Sequence, residues 1–187
     1  RDAYQFSDGT QRAYPGGNRG FDNPYWSLNK NPHTDEINRF VAVQESEYYV
    51  TDWLAATLRV GTDISDEKRK GAFSKGSIAF PAGVIVDYGF SRRDINTDFY
   101  LTATRQLSSD LGIKVIAGHN FFDFYRFNTV ARGNNLTIPD FYNISNASAV
   151  TLNQSTIKKN LVAVYGDVQF NYKDWLFVEV AGRNEWT

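Results

Sequence analysis

The sequence has no cysteine and no methionine, and two of its 187 residues are histidine. The missing cysteine excludes a disulfide scaffold, a thiol enzyme and a Cys-ligated metal centre. His33 and His119 do not form a pair with metal-ligand spacing, and His119, inside an alternating run, reads as structural rather than as a catalytic base. Neither sign of charge dominates. The 20 Lys+Arg against 21 Asp+Glu leave a net charge of -1, without the basic excess of a nucleic-acid clamp. With 42% hydrophobic residues the chain is not a disordered tail either. It opens on Arg1 and lacks a signal segment with a basic start and an apolar run, so a piece of a longer chain is expected.

Long apolar runs are also missing. The best stretch, near Ile78–Val86, is interrupted by Pro81 and Gly83, while a helical span needs about 20 apolar residues. A membrane-crossing strand needs only about 9–11 residues with one apolar face, and such a protein is hydrophilic on average.

What is abundant is alternation. Val162, Val164, Gly166, Val168 and Phe170 oppose Tyr165, Asp167, Gln169 and Asn171. Leu176, Val178 and Val180 oppose Glu179 and Arg183. Leu54, Ala56, Leu58 and Val60 oppose Thr57, Arg59 and Asp63. Leu111, Ile113, Val115 and Ala117 oppose Lys114; Phe99, Leu101 and Ala103 oppose Asp98 and Tyr100. A period of two places each series on one side of a strand. The expected strands are 37–49, 52–64, 83–106, 111–130, 157–172 and 174–187. Short turns lie at 49–53, 107–112 and 171–175; polar segments at 1–35, 65–81 and 133–156 read as long loops.

Short turns at one end, long loops at the other, and aromatics beside the turns (Tyr48, Tyr49, Trp53, Tyr172, Trp175) describe an outer-membrane barrel. A soluble antiparallel β-sandwich shows the same alternation and stays open as the competing fold. In strand 83–106 the apolar face switches from even positions, ending at Phe90, to odd ones from Phe99. Either a bulge near Gly89, Arg92 and Arg93 or a strand end outside the membrane would produce that. Six strands fall below the eight-strand minimum of single-chain barrels. At about 31 residues per strand, a plugged barrel of about 22 strands would take roughly 700 residues.

Asp22-Asn23-Pro24-Tyr25-Trp26 followed by Asp35-Glu36-Ile37-Asn38-Arg39-Phe40 resembles the SusC/RagA-type TonB-linked outer-membrane transporters. So do Thr51-Asp52-Trp53-Leu54, Arg59-Val60-Gly61-Thr62-Asp63 and Ile138-Pro139-Asp140-Phe141-Tyr142-Asn143-Ile144-Ser145-Asn146. The end, Tyr172-Lys173-Asp174-Trp175-Leu176-Phe177 through Gly182-Arg183-Asn184-Glu185-Trp186-Thr187, is similar to that family's Y-K-x-x-L-F … G-R-N-D-W-S strand, with conservative departures at Glu185 and Thr187. The matches run from about residue 22 to the end. The resemblance implies an all-β, antiparallel transmembrane β-barrel segment in the bacterial outer membrane, about six strands from the middle of a 22-stranded barrel. It implies an extracellular loop region over 1–36 and barrel wall over 37–187, with the plug, the TonB-contacting segment and the remaining strands absent. It also implies import of glycans or peptides, with a SusD-like surface lipoprotein as lid, the TonB complex, the rest of the barrel and outer-membrane lipid as partners. A soluble carbohydrate-binding module and a passive porin are the alternatives.

No enzyme, metal or cofactor is expected. Asp63, Asp66 and Glu67 could hold calcium but read better as solvated. The Gly-rich Pro15–Gly20 stretch lacks the Lys and the strand-to-helix context of a phosphate loop. Asn-x-Ser/Thr matches at Asn135, Asn143, Asn146 and Asn153 carry nothing beyond polarity in a bacterial protein. The ligand-binding candidates are Tyr25 and Trp26, whose rings could stack on a sugar, and Asn23 and Asn38, whose amides could bond hydroxyls. Loop packing is the competing role for Trp26. Arg59, Asp63, Lys114, Asp167, Glu179 and Arg183 are expected to line a polar interior, with Val162, Val164, Leu176, Val178 and Val180 facing lipid.

Overall fold

A computed structural model describes residues 4–12 and 21–187 of the chain. It is all-β: six antiparallel strands in one sheet, in the order of the sequence. They are β1 (His33–Thr51), β2 (Leu54–Phe73), β3 (Val84–Gln106), β4 (Leu111–Leu136), β5 (Ala147–Tyr172) and β6 (Leu176–Trp186). A sandwich needs two facing sheets; here every strand belongs to one.

The three short turns hold. The first leaves only Asp52 and Trp53 between its strands. In the last, Lys173 and Asp174 both take positive φ, 50° and 56°, and Trp175 N donates to Tyr172 O. That left-handed pair is a type I′ turn inside a three-residue connection, since Tyr172 pairs with Leu176. Asn171 and Asp174 lock it through two side-chain hydrogen bonds, at 2.6 and 3.1 Å.

The other strand ends correct the sequence reading. Much of the expected loop 65–81 is strand, since β2 runs to Phe73. Likewise β4 runs to Leu136 and β5 starts at Ala147, which leaves ten residues of the expected 133–156 loop as connection. The β2 extension is polar on both faces, so no period marks it. Charges hold it instead. Arg69 pairs across strands with Asp35 at 3.4 Å and along its own strand with Glu67, Lys70 lies 3.9 Å from Asp87, and Ser91 donates to Asp66 at 2.6 Å.

Along β3, Gly83 O accepts from Asn135 N, and Ile85 lies against Gly133 and Gly89 against Thr129; Tyr100 lies against Gly118 and Gln106 against Gly112.

Two compact units divide the chain. Unit 1 comprises Arg1–Asn38, Asp66–Ser91 and Phe127–Thr156. Its core is Ala72, Ile85 and Leu136 with Tyr142, Ile144 and Ala147 against them. It also carries a helix that alternation did not announce, α1 (Pro24–Lys30), with Asn23 as N-cap and Pro24 in the first turn. Unit 2 comprises Arg39–Ser65, Arg92–Arg126 and Ile157–Thr187. Its buried hydrophobic residues, among those described, are Ala55 and Ala163; its large apolar side chains stand exposed, Val180 at 65%.

In unit 2 the tyrosine rings need space that a neighbour must yield. A Cβ on Gly118 would meet Tyr100 at 2.8 Å and overlap the Tyr165 ring, whereas one on Gly182 would meet nothing within 4 Å. Gly118→Ala should destabilise by about 1–3 kcal/mol through overpacking, and Gly182→Ala should be near neutral, as read from denaturant midpoints.

Candidate functional site

The two faces of the sheet in unit 2 differ chemically, and the β5–β6 register shows how. Val164 faces Asn184, Val168 faces Val180, Phe170 faces Val178 and Tyr172 faces Leu176. These residues share one face. On the other, Tyr165 faces Arg183, Asp167 faces Ala181 and Gln169 faces Glu179.

The second face is a hydrogen-bonded charge network. Arg39 grips both oxygens of Asp63 at 2.8 and 2.6 Å, the bidentate geometry of a strong pair. Arg59 meets Glu45 at 2.6 Å. Asn120, buried, sits at the centre. Its amide nitrogen donates to Asn96 at 2.9 Å and Asp98 at 2.8 Å, and its oxygen accepts from Arg183 at 3.2 Å. Arg183 also pairs with Glu185 at 2.8 Å. Every polar-face residue named from the sequence whose contacts are given, Arg59, Asp63, Asp167, Glu179 and Arg183, lies on this side; Lys114 joins them by alternation with Gly118 and Asn120. Asn120 went unnoticed because a lone Asn in a strand carries no signal until its neighbours are known.

The calcium triad is split. Asp63 and Glu67 share a face, each on an arginine, while Asp66 points to the other and accepts from Ser91. Among the described residues no group of three His, Cys, Asp or Glu could hold a metal ion. The Pro15–Gly20 stretch lies outside the described residues.

In unit 1, the Asp22–Trp26 motif builds a cap. Asp22 accepts from Ile78 N at 2.6 Å and from Gln11 at 2.9 Å. Asn23 is buried; it accepts from Tyr25 N and donates to Arg12 O, both at 3.0 Å. Trp26 is 2% exposed and its ring nitrogen donates to Ser77 Oγ at 3.1 Å. Asn31 then accepts from Ser74 N and from Ser77 Oγ. So Trp26 is committed to packing α1 against the 74–78 turn, and Asn23 to capping α1 and holding the Arg12 backbone. Tyr25 is half-exposed, and Asn38 on β1 is exposed with its amide 3.4 Å from Glu36.

The 137–146 connection is tied to the same cap. Lys30 pairs with Asp140 at 2.7 Å, and the Tyr142 hydroxyl donates to Lys30 O. Burial, with the Asp140 charge next, pushes the Tyr142 phenol up to about 12. Asn146 secures the turn by donating to Ile138 O and Phe141 O at 2.8 and 2.7 Å.

Several solved structures share this fold. The chain matches one of the RagAB peptide importer in its "closed-closed" state with a TM-score of 0.79 and 10% identity, over 87% of this chain and 18% of that one. It matches the "open-open" state of that importer at 0.76 and 11%, over 96% and 21%. A further RagAB peptide transporter structure gives 0.76 and 12%, over 95% and 21%. The chain thus spans about a fifth of the length of these structural relatives, and the likeness is one of fold. No family model and no curated protein matches the sequence.

A phenol held neutral by the fold contributes stability that is fully present below its ordinary value of 10.0 and is lost as pH rises towards about 12. The difference in ultraviolet phenolate titration between the parent chain and Tyr142→Phe should show one step near that upper value. A step at the ordinary value would mean that the cap leaves Tyr142 in water.

Proposed function

We propose that this chain forms wall of a transmembrane β-barrel in the bacterial outer membrane, within a TonB-dependent importer. The observation that carries it is one sheet with two unlike faces in unit 2. One bears an ion-paired network suited to a water-filled interior. The other leaves Leu58, Phe99, Leu101, Val164, Val178 and Val180 exposed, with Tyr48, Trp53 and Tyr172 near the short turns and Phe40 and Trp186 farther from them. A soluble protein rarely leaves so continuous an apolar patch open.

The outer strands support the same reading. Both β1 and β6 are exposed nearly throughout, and in lipid an unpaired strand edge costs several kcal/mol per backbone group. Further strands are required on both sides, and parts outside this chain supply the plug and the TonB contact.

The sequence similarity to SusC/RagA-type transporters and the fold shared with the RagAB peptide importer support import of peptides or glycans under a SusD-like lipoprotein lid; the likeness favours peptides. In this reading residues 1–36 are extracellular, α1 and its cap brace the mouth, and exposed Tyr25 faces the ligand or the lid, whereas Asn38 shares the outer face of β1 with Phe40. Residues 37–187 are wall.

The absence of cysteine allows a direct test. Single cysteines with spin labels at Val164, Val178 and Val180 should collide with oxygen dissolved in lipid; labels at Asp167, Glu179 and Arg183 should collide with a water-soluble nickel chelate. Labels that fail to alternate would end the barrel reading. Val178→Arg should cost about 2–4 kcal/mol in a refolding assay, with Glu179→Gln milder. Peptide uptake by cells that survives collapse of the proton-motive force would remove the TonB coupling.

A further inference from the structure

On the apolar face of unit 2, at mid-strand in β3, β4 and β5, a charged hollow of about 470 Å³ is lined by Arg93, Asp123, Tyr125, Lys158 and Asn160, with Thr187 at its edge. The side of the sheet is set by contact. Arg93 meets Asp123, so both leave the face that holds Arg92, Asp94 and Asn120, and Lys158 reaches the same ring as Arg93. Two cations converge on that ring. The Arg93 guanidinium lies 5.6 Å and the Lys158 ammonium 5.7 Å from the Tyr125 centroid. One carboxylate serves them. Asp123 Oδ1 takes Arg93 at 3.0 Å, and its Oδ2 takes the Asn160 amide, oriented to donate, at 3.0 Å. Lys158 makes no ion pair among the described residues. The hollow holds one positive charge in excess, on exposed Lys158 beside half-exposed Arg93.

Its position gives the charge a meaning. Along β5 the same face continues from Lys158 and Asn160 directly into Val162, Val164, Val168 and Phe170. Two cations that share one carboxylate over an aromatic ring, at the margin of an exposed apolar band, are complementary to an anion that carries its own hydrocarbon. Arginine presents a planar fork and lysine a point charge, the combination that grips a phosphate. A sugar or a zwitterionic headgroup would leave the excess charge unmet.

We infer that Arg93, Lys158 and Tyr125 bind the phosphorylated headgroup of a membrane amphiphile whose acyl chains lie along the apolar face. The inference rests on the barrel reading, since it takes that face as the lipid side. Asp123 and Asn160 are positioning residues that hold the guanidinium; the phosphate contacts belong to Arg93 and Lys158.

The test uses the intact protein that carries this chain, purified in a non-ionic detergent, with dodecyl phosphate, dodecyl maltoside and inorganic phosphate as probes in native mass spectrometry and thermal-shift titration. Dodecyl phosphate should bind at least tenfold tighter than inorganic phosphate, and Arg93→Gln with Lys158→Gln should remove that preference. Lys158→Gln alone, at an exposed and unpaired position, should weaken it severalfold without changing the melting temperature of the ligand-free protein. Equal affinity for the two phosphates would reduce the hollow to a plain anion site and overturn the inference, as would a double variant that binds dodecyl phosphate like the parent. If the spin labels at Val164 and Val178 report lipid while the phosphate preference is absent, the barrel stands and this inference alone fails.

Discussion

Everything in this chain follows from the need to pair its backbone. An extended strand presents a donor and an acceptor at every residue, and only a neighbouring strand can satisfy them over 20 or more residues. Six strands in sequence order meet that need with the shortest connections available. Once they pair, side chains must alternate between two sides. A single sheet without a second layer then has no interior of its own, so chemistry is sorted by face instead of by depth.

That sorting explains the contrast between the two units. Unit 2 buries almost no large hydrophobic side chain, yet its strands are long and regular, because order comes from the ladder and from cross-strand ion pairs such as Arg39–Asp63. Exposed ion pairs contribute little singly in water; arranged around a buried Asn120 they share partners and fix one another's geometry. Unit 1 uses a different device. Its helix is too short to stand alone, and buried Asn23, Trp26, Asn31 and Ser77 with part-buried Asp22 tie it to a turn some fifty residues away.

Legibility in the sequence tracked the physics. Where one face is apolar and the other polar, period two is visible, and the central parts of all six strands could be located. Where a strand is polar on both faces, as at Ser65–Lys70 or Thr151–Thr156, the same backbone pairing leaves no periodic trace and the segment reads as loop. The motif Asp22–Trp26 was visible as a motif, while its work was not: an Asn before Pro signals a turn, and only the fold shows that Asn23 caps a helix and that Trp26 is sealed under Gly76. Tyr25 and Asn38 stayed on the surface; Asn23 and Trp26 did not.

The sequence by itself determined the class of structure, the strand centres, the hairpin turns and which residues share a face, because these depend on neighbours two to four positions away. The partners of the charged residues, the burial of Asn120, and the meeting of Arg93 and Lys158 on the Tyr125 ring come from tertiary structure alone. Those are contacts between residues as much as 110 positions apart, and a local pattern holds no information about the offset at which two strands pair.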